Sequence, residues 1–543
     1  MSIPSLRARI GTISRGRWRA VTALVACLAT ALVVSTYPVF NQMWDEPAHI
    51  AAGMEWLSRG RYTYEPQHPP LARVAAAIGP YLGGARTIGL PKMFNEGRAL
   101  LGEGAHYRRI LTLARLGMLP FLWLMLAVCA VWGVRAAGPA GGALAVVFAA
   151  TNPNLLAHAG VAGTDLAPAA LAALALFAWM RWREEPTTRR ALLFGASVGL
   201  AAAAKFSAVV YLAPALVLGE GVRWLLPRDT PVRDRLALSW RHALVGCGAA
   251  ALVLWAAYRF DIGPIQPGGI WVPAPALLRG LRPFLQHANG GHPAFLLGEV
   301  SQRGWWYYYL VVLGVKTPLP LLTLAVVGAA ESVRAARAAR WTSLVPLVGT
   351  VAVLAVALAS HVDLGVRIVL TIYPFLAVLA ARGVVAAWTR GGTPTMVGAR
   401  RIAISVLVLI ELVIPFQAWP DYVAYFNPIV GERPERVLVD SNLDWGQDLY
   451  RLADTVRARR IDSVRVHYFG SSSLEAVGLT NARRLDPNER TTGWVAASET
   501  FLAGVWSDTS LRWLARRTPV ARIGPSMRLY YIAPESTLTR AVR

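Results

Sequence analysis

The chain has 543 residues, 55% of them hydrophobic, with a mean hydropathy of +0.41, which excludes an ordinary soluble protein of this length. Its formal charge of +24 invites a nucleic-acid reading, but the arginines cluster on alternate loops between apolar runs, as the positive-inside rule requires. The clusters are Arg7 to Arg19, Arg181 to Arg190, Arg223 to Arg241, Arg334 to Arg340 and Arg390 to Arg401, whereas from Asp421 onward 17 Arg face 14 acidic residues, a net of only +3. The basic excess therefore orients a membrane protein, and no nucleic-acid partner is expected.

About 20 apolar residues suffice to cross a bilayer as a helix. In chain order, eleven runs qualify: 18–40, 110–134, 139–158, 166–182, 190–204, 206–226, 241–260, 307–330, 342–360, 367–388 and 401–420, with 190–226 open to another count. The first reads as a retained anchor, because residues 35–40 form no small-residue cleavage site. The arginine pattern predicts a multi-pass plasma-membrane protein with a cytoplasmic N-terminus. The loops beginning at Asn41, His158, Asp261 and His361, and the tail, then lie outside. Cys27, Cys129 and Cys247 all fall within spans and read as small buried residues, not a disulfide framework.

Two outer loops are long. The first, 41–109, carries short apolar stretches at 47–59 and 70–83 that predict helices lying along the membrane surface. The second, 261–306, ends at five consecutive aromatics, Trp305 to Tyr309, suited to an interfacial belt or to a groove for a lipid or sugar. Beyond residue 420 the apolar runs shorten. Strands are predicted at 436–441, 464–469, 493–497, 519–523 and 528–532, with a helix at 447–460. The expected architecture is a polytopic α-helical membrane domain, 1–420, followed by an extracytoplasmic α/β domain, 421–543.

The chemistry concentrates in four places. Asp45 and Glu46 follow the first span directly; an acid at membrane depth is costly and marks a functional site, although both acids also suit a helix N-terminus opened by Pro47. His68, in Gln67-His68-Pro69-Pro70, can meet an anionic head group or simply precede a helix. Asp165, in the short second outer loop, emerges on the same side as Asp45. Lys205, Lys316 and Arg367 are cations at span ends, placed either to bind a lipid-linked phosphate or to snorkel toward water. A sugar-phosphate bond gives a leaving group better served by a cation than by an acid. One carboxylate base and basic phosphate binders therefore suffice for glycosyl transfer.

These motifs, in this order, resemble the GT-C glycosyltransferases. Asp45-Glu46-Pro47, Glu55 and His68-Pro69-Pro70-Leu71 look like the first outer loop of the protein O-mannosyltransferase and lipid A aminoarabinose transferase superfamily. Thr164-Asp165, Lys205, Lys316-Thr317-Pro318 and Gly365-Val366-Arg367 recur as in bacterial members. The run Asp440-Ser441-Asn442-Leu443-Asp444-Trp445-Gly446-Gln447-Asp448 is similar to a subgroup with an extracytoplasmic C-terminal domain. The resemblance implies an inverting transferase using a polyprenyl-phosphate donor at the outer face of a bacterial plasma membrane. Asp45 or Glu46 would be the base and Asp165 the second acid. Lys316, Arg367, His68 and Lys205 would hold the donor phosphate, and Asp440, Asn442, Asp444 and Trp445 the acceptor or its glycan. His68-Pro69 stands where aminoarabinose transferases have Lys-Pro, so the resemblance does not carry lipid A or aminoarabinose over as substrates. No cofactor is fixed, and a divalent cation is left open because related enzymes differ over a metal. Competing readings are a transporter or flippase of lipid-linked sugars, a glycan ligase using a diphosphate-linked donor, and a non-catalytic scaffold. The absence of an internal repeat argues against the transporter.

Overall fold

A computed structural model describes residues 15–226, 240–338, 340–486, 488–506 and 511–534. Arg7, Arg9, Arg228, Arg233 and Arg235 of the basic clusters lie outside the described residues. In chain order, the first helices are α1 (Arg15–Val34), α2 (Glu46–Arg59), α3 (Pro70–Leu82), α4 (Met93–Leu101), α5 (Gly104–Leu116) and α6 (Leu119–Ala150). There follow α7 (Pro153–Ala159), α8 (Leu166–Glu184), α9 (Thr188–Ala204), α10 (Phe206–Leu225), α11 (Trp240–Ala257) and α12 (Pro275–Gly290). Next come α13 (Tyr308–Lys316), α14 (Leu319–Arg337), α15 (Val345–Leu358), α16 (Tyr373–Thr389), α17 (Pro394–Gln417) and α18 (Leu449–Ala458). Among the described residues, six helical stretches are long and apolar enough to cross a membrane: Gly104–Ala150, Phe206–Leu225, Trp240–Ala257, Leu319–Arg337, Trp341–Leu358 and Leu370–Thr389.

Several elements differ from the sequence reading, each for a local reason. Helix α6 is not one rod: Ala137 and Gly138 leave helical geometry before Pro139, and Gly133 and Gly141 approach so closely that the chain must fold back. The apolar run 307–330 is cut into α13 and α14 at Lys316-Thr317-Pro318, because Pro318 bars Thr317 from the helical region and Thr317 adopts ψ 136°. The aromatic run before that break is divided between packing and surface, with Trp305 and Tyr307 half-buried. Tyr308 and Tyr309 are buried, while Trp306 is exposed. Residues 436–441 form no strand; 3₁₀ turns occupy Pro434–Arg436 and Asp440–Asn442 instead. Cys129 is buried, but Cys27 and Cys247 lie exposed on helix flanks, so only one of the three is a core residue.

The loop after α1 holds four helices, α2 to α5, and α2 packs on both α3 and α4. The loop before α13 contains two short hairpins, β1 (Ile262–Pro264) with β2 (Trp271–Pro273) and β3 (Ala294–Leu296) with β4 (Glu299–Ser301), around α12. The C-terminal segment builds a five-stranded sheet from β5 (Val464–His467), β6 (Ala482–Arg484), β7 (Gly493–Ser498), β8 (Ala521–Ile523) and β9 (Met527–Ile532), in the order β6-β5-β7-β9-β8. Strand β5 runs parallel to β6 and β7, and β9 antiparallel to β7 and β8.

The helices share a polarity. Helices α8, α14 and α16 begin beside Asp165, Lys316 and Arg367 respectively, and end at Arg183, Arg337 and Arg390. One end of the bundle gathers the acids and single cations, and the other gathers arginines. Helices α14 and α16 cross where small residues allow it: a Cβ on Gly328 would stand 1.8 Å from the Leu379 carbonyl oxygen, and one on Gly383 2.2 Å from that of Leu324. Gly328→Ala is therefore expected to cost about 1–3 kcal/mol through overpacking, seen as a lower thermal unfolding midpoint in detergent.

Candidate functional site

The two adjacent acids part company at the start of α2. Glu46 is fully buried, with both oxygens engaged: Arg115 donates to Oε1 and Oε2 at 2.9 Å each, the Ala162 N–H to Oε1 at 2.8 Å, and the Met43 N–H to Oε2 at 2.8 Å. No lone pair remains for a substrate proton. Asp45 is partly exposed and caps nothing, although it stands at the N-cap position. Its Oδ2 accepts from Arg367 Nη1 at 2.9 Å, and Arg367 in turn lies 4.9 Å from the centre of the Trp445 ring.

Asp165, ahead of α8, accepts from Lys205 Nζ at 2.6 Å, with His158 Nδ1 at 3.7 Å. Burial pushes its carboxyl up, but Lys205, His158 and Arg367 together hold it well below the usual carboxylate range. Lys205 reaches it because the chain between α9 and α10 is extended at that residue, which turns the side chain inward. His68 donates to the Glu65 carboxylate at 2.9 Å through Nδ1, and Glu65 also pairs with the buried Arg73, whose Nε lies 3.2 Å from His49 Nδ1. Burial and Arg73 keep both imidazoles below their ordinary pKa, so this corner stays neutral at His49 and His68 while Arg73 and Glu65 carry the charge.

Lys316 takes no part in this group. It is fully buried, donates to the carbonyls of Val423 at 2.8 Å and Asn442 at 2.7 Å, and packs over Phe426. The expected phosphate binder instead ties the α13–α14 break to the C-terminal segment. Asn442 is equally spent: its Oδ1 accepts from the Val366 N–H at 3.0 Å. Asp444, fully buried, accepts from the N–H groups of Thr500 and Gly446. Asp440 and Trp445 do face open space, and Trp506 Nε1 donates to Asp440 at 3.3 Å.

Two cavities meet at Asp45. The larger, about 420 Å³, has His68, Arg73, Lys205 and Arg367 on its polar side, with Phe206, Val210 and Ile368 among its apolar walls. The smaller, about 300 Å³, is walled by Trp44, Trp445, Phe469, Phe501 and Trp506. Asp45, His292, Leu364 and Arg367 line both. Sequence reasoning missed Arg73, Glu65 and His49. The Glu65-x-x-His68 spacing was the available signal for Glu65, and Trp44 beside Asp45 was the signal for the aromatic wall. Among the described residues no three His, Cys, Asp or Glu side chains cluster as metal ligands. Asp45 and Asp165 are each neutralised by a cation, so the donor set does not fit a divalent metal.

No protein-family description and no characterised relative matches the sequence. Solved structures do. The apo form of ArnT from Cupriavidus metallidurans aligns with a TM-score of 0.50 at 13% identity, covering 94% of this chain and 99% of that one. An Archaeoglobus fulgidus oligosaccharyltransferase, in complex with zinc and sulfate, gives 0.50 at 11% identity over 91% and 70%. ArnT bound to undecaprenyl phosphate gives 0.49 at 13% over 94% and 99%. The chain has the GT-C fold. Within that GT-C frame, the first loop and the C-terminal segment both contribute walls to the cavities around Asp45.

The neighbouring acids should respond differently to amidation. Glu46→Gln breaks a buried, bidentate pair and is expected to cost about 3–5 kcal/mol. Asp45→Asn breaks a partly exposed pair worth about 0–1 kcal/mol. Thermal unfolding of both variants in detergent checks this; equal losses would refute the division. Burial without a cation pushes the Asp444 carboxyl up to about 8 from 3.8. Its folded pKa is raised, so its contribution is present below the unfolded value and is lost as pH rises through about 8. A pH series of unfolding midpoints should slope down across that window and flatten in Asp444→Asn.

Proposed function

We propose that this protein is an inverting glycosyltransferase that moves a sugar from a polyprenyl-phosphate donor to an acceptor hydroxyl at the outer face of the plasma membrane. The observation that carries the reading is the position of Asp45, on the seam between a cation-lined cavity with apolar walls and an aromatic one. The first suits a lipid phosphate and its isoprenoid; the second suits an acceptor. The GT-C fold supports glycosyl transfer from a lipid-linked donor, and the arginine-rich helix ends support an outward-facing site.

In the proposed reaction the acceptor oxygen attacks the anomeric carbon from the side opposite the phosphate. The bond from that carbon to the phosphate oxygen breaks, and polyprenyl phosphate leaves as an anion. Asp45 takes the acceptor's hydroxyl proton. Arg367 and Lys205 stabilise the departing phosphate, and Arg367 Nε, buried without a hydrogen-bond partner, is a donor ready for it. Asp165 holds Lys205 in place and remains ionised, and Glu46 fixes the backbone that carries the base. His68 and Arg73 form the far polar wall. Asp440 and Trp445 bound the acceptor side, whereas Asn442 and Asp444 act by shaping the turn beneath it. Residues 1–420 and 421–543 then serve as catalytic and acceptor-side portions of one site.

The test is release of polyprenyl phosphate from a labelled donor by the purified protein in nanodiscs. Asp45→Asn should lower turnover by about 10²–10⁴-fold while retaining donor binding. Arg367→Ala and Lys205→Ala should weaken donor binding. Turnover of a diphosphate-linked donor alone, with release of polyprenyl diphosphate, would favour the ligase reading, and donor crossing the bilayer without turnover the transporter.

A further inference from the structure

At the opposite end of the helices from Asp45 lies a second polar recess, of about 130 Å³, where Arg135, Arg340 and Arg382 meet Ser332, Thr342 and Ser343. The three arginines come from distant parts of the chain: the fold-back of α6, the residue before the 3₁₀ turn Trp341–Leu344, and the interior of α16. Trp132, Met180 and Val378 supply apolar walls.

The charges do not balance within the protein. Arg135 is paired, donating to both Glu184 oxygens at 2.8 and 2.9 Å. Among the described residues, neither Arg340 nor Arg382 forms an ion pair with a carboxylate. Arg382 Nη1 has the Ala136 carbonyl at 3.5 Å, and the acid within electrostatic reach, Glu331 on α14, is shared with Arg334 and, at 4.0 Å, Arg390. The hydroxyls are neutral and bring no offsetting charge. Ser332 donates to the Gly328 carbonyl, and Ser343 to those of Ser332 and Arg340. The positive-inside bias accounts for arginines in loops, but Arg382 is half-buried seven residues before the end of α16, about 10 Å along the helix axis. Arginines outnumber the acids here, and a cation at that depth with no carboxylate in direct contact calls for an anion from elsewhere.

We propose that this recess binds a phosphate group, carried by an anionic phospholipid head group or free in solution. Guanidinium groups match phosphate oxygens in geometry as well as charge, and basic pockets between membrane helices on this side suit lipid head groups. The site is independent of the glycosyl-transfer reading, because it shares no residue with the cavities around Asp45.

Native mass spectrometry of the full-length protein, delipidated in detergent and offered equal phosphatidylglycerol and phosphatidylethanolamine, tests the proposal. Thermal unfolding with and without inorganic phosphate runs beside it. The wild type should retain phosphatidylglycerol preferentially. The double variant Arg340→Gln/Arg382→Gln should lose that preference by about tenfold or more, and Arg340→Lys/Arg382→Lys should keep most of it. Stabilisation by inorganic phosphate, without lipid preference, would support the site with free phosphate as its source. If the wild type shows neither response, or the glutamine variant keeps both, the proposal is overturned. Should the glutamine variant fail to fold, competition of inorganic phosphate against phosphatidylglycerol on the wild type decides: displacement supports a shared phosphate site, and its absence overturns it.

Discussion

The buried Glu46–Arg115 pair is the constraint from which the site follows. Arg115 sits at the end of α5 and donates to the Tyr37, Phe40 and Asn41 carbonyls as well as to Glu46. One guanidinium thereby fixes the whole turn where the chain leaves α1 and enters α2. Removing two charges from water is expensive, so this arrangement is tolerable only because the carboxylate accepts four bonds and the guanidinium five. Its return is positional. With Glu46 immobilised, the preceding residue has no freedom to withdraw, and Asp45 projects between the cavities.

Around that fixed point, the charges are arranged in matched pairs. Asp45 faces Arg367, Asp165 faces Lys205, and Glu65 faces Arg73. Among the described residues, Arg367 keeps its Nε free for a further anion, whereas the buried Arg73 spends its donors on Glu65, Tyr62 and His49. The Asp45–Arg367 pair joins residues 322 positions apart, so the site is complete only when both ends of the bundle are in place.

How much of this was legible in the sequence depends on how locally each feature is determined. Asp45 was visible because an acid at the end of an apolar run is costly wherever the fold takes it. The α2 and α3 helices were visible because Pro47 and Pro70 open them and their apolar spacing is helical. The separation of Asp45 from Glu46 was not, since it rests on Arg115, sixty-nine residues away. Lys316 misled for the same reason. A cation at the edge of an apolar run looks like a phosphate binder until the carbonyls of Val423 and Asn442 are brought to it. The strand expected at 436–441 failed because Pro434 and the positive φ of Asp440 favour tight turns over an extended ladder. Arg73 and Arg382 resembled every other arginine in an arginine-rich chain; only burial distinguishes them.

Lys316 also explains why the C-terminal segment is part of the site and not an appendage. The membrane helix breaks at Thr317 because Pro318 follows, leaving Lys316 at the end of α13 with its ammonium pointing into protein. There the cation satisfies two carbonyls, one of them from the Asp440–Asn442 turn, and Asn41 binds the other end of the same motif by donating to Gly446 and accepting from Leu449. The motif is thus clamped between a broken helix and the loop that carries Asp45. Trp445, between those two anchors, has no alternative but to lie under Arg367. The buried acids Asp444 and Asp448 therefore serve to shape a rigid turn, and Asp440 and Trp445 are what reach the cavity.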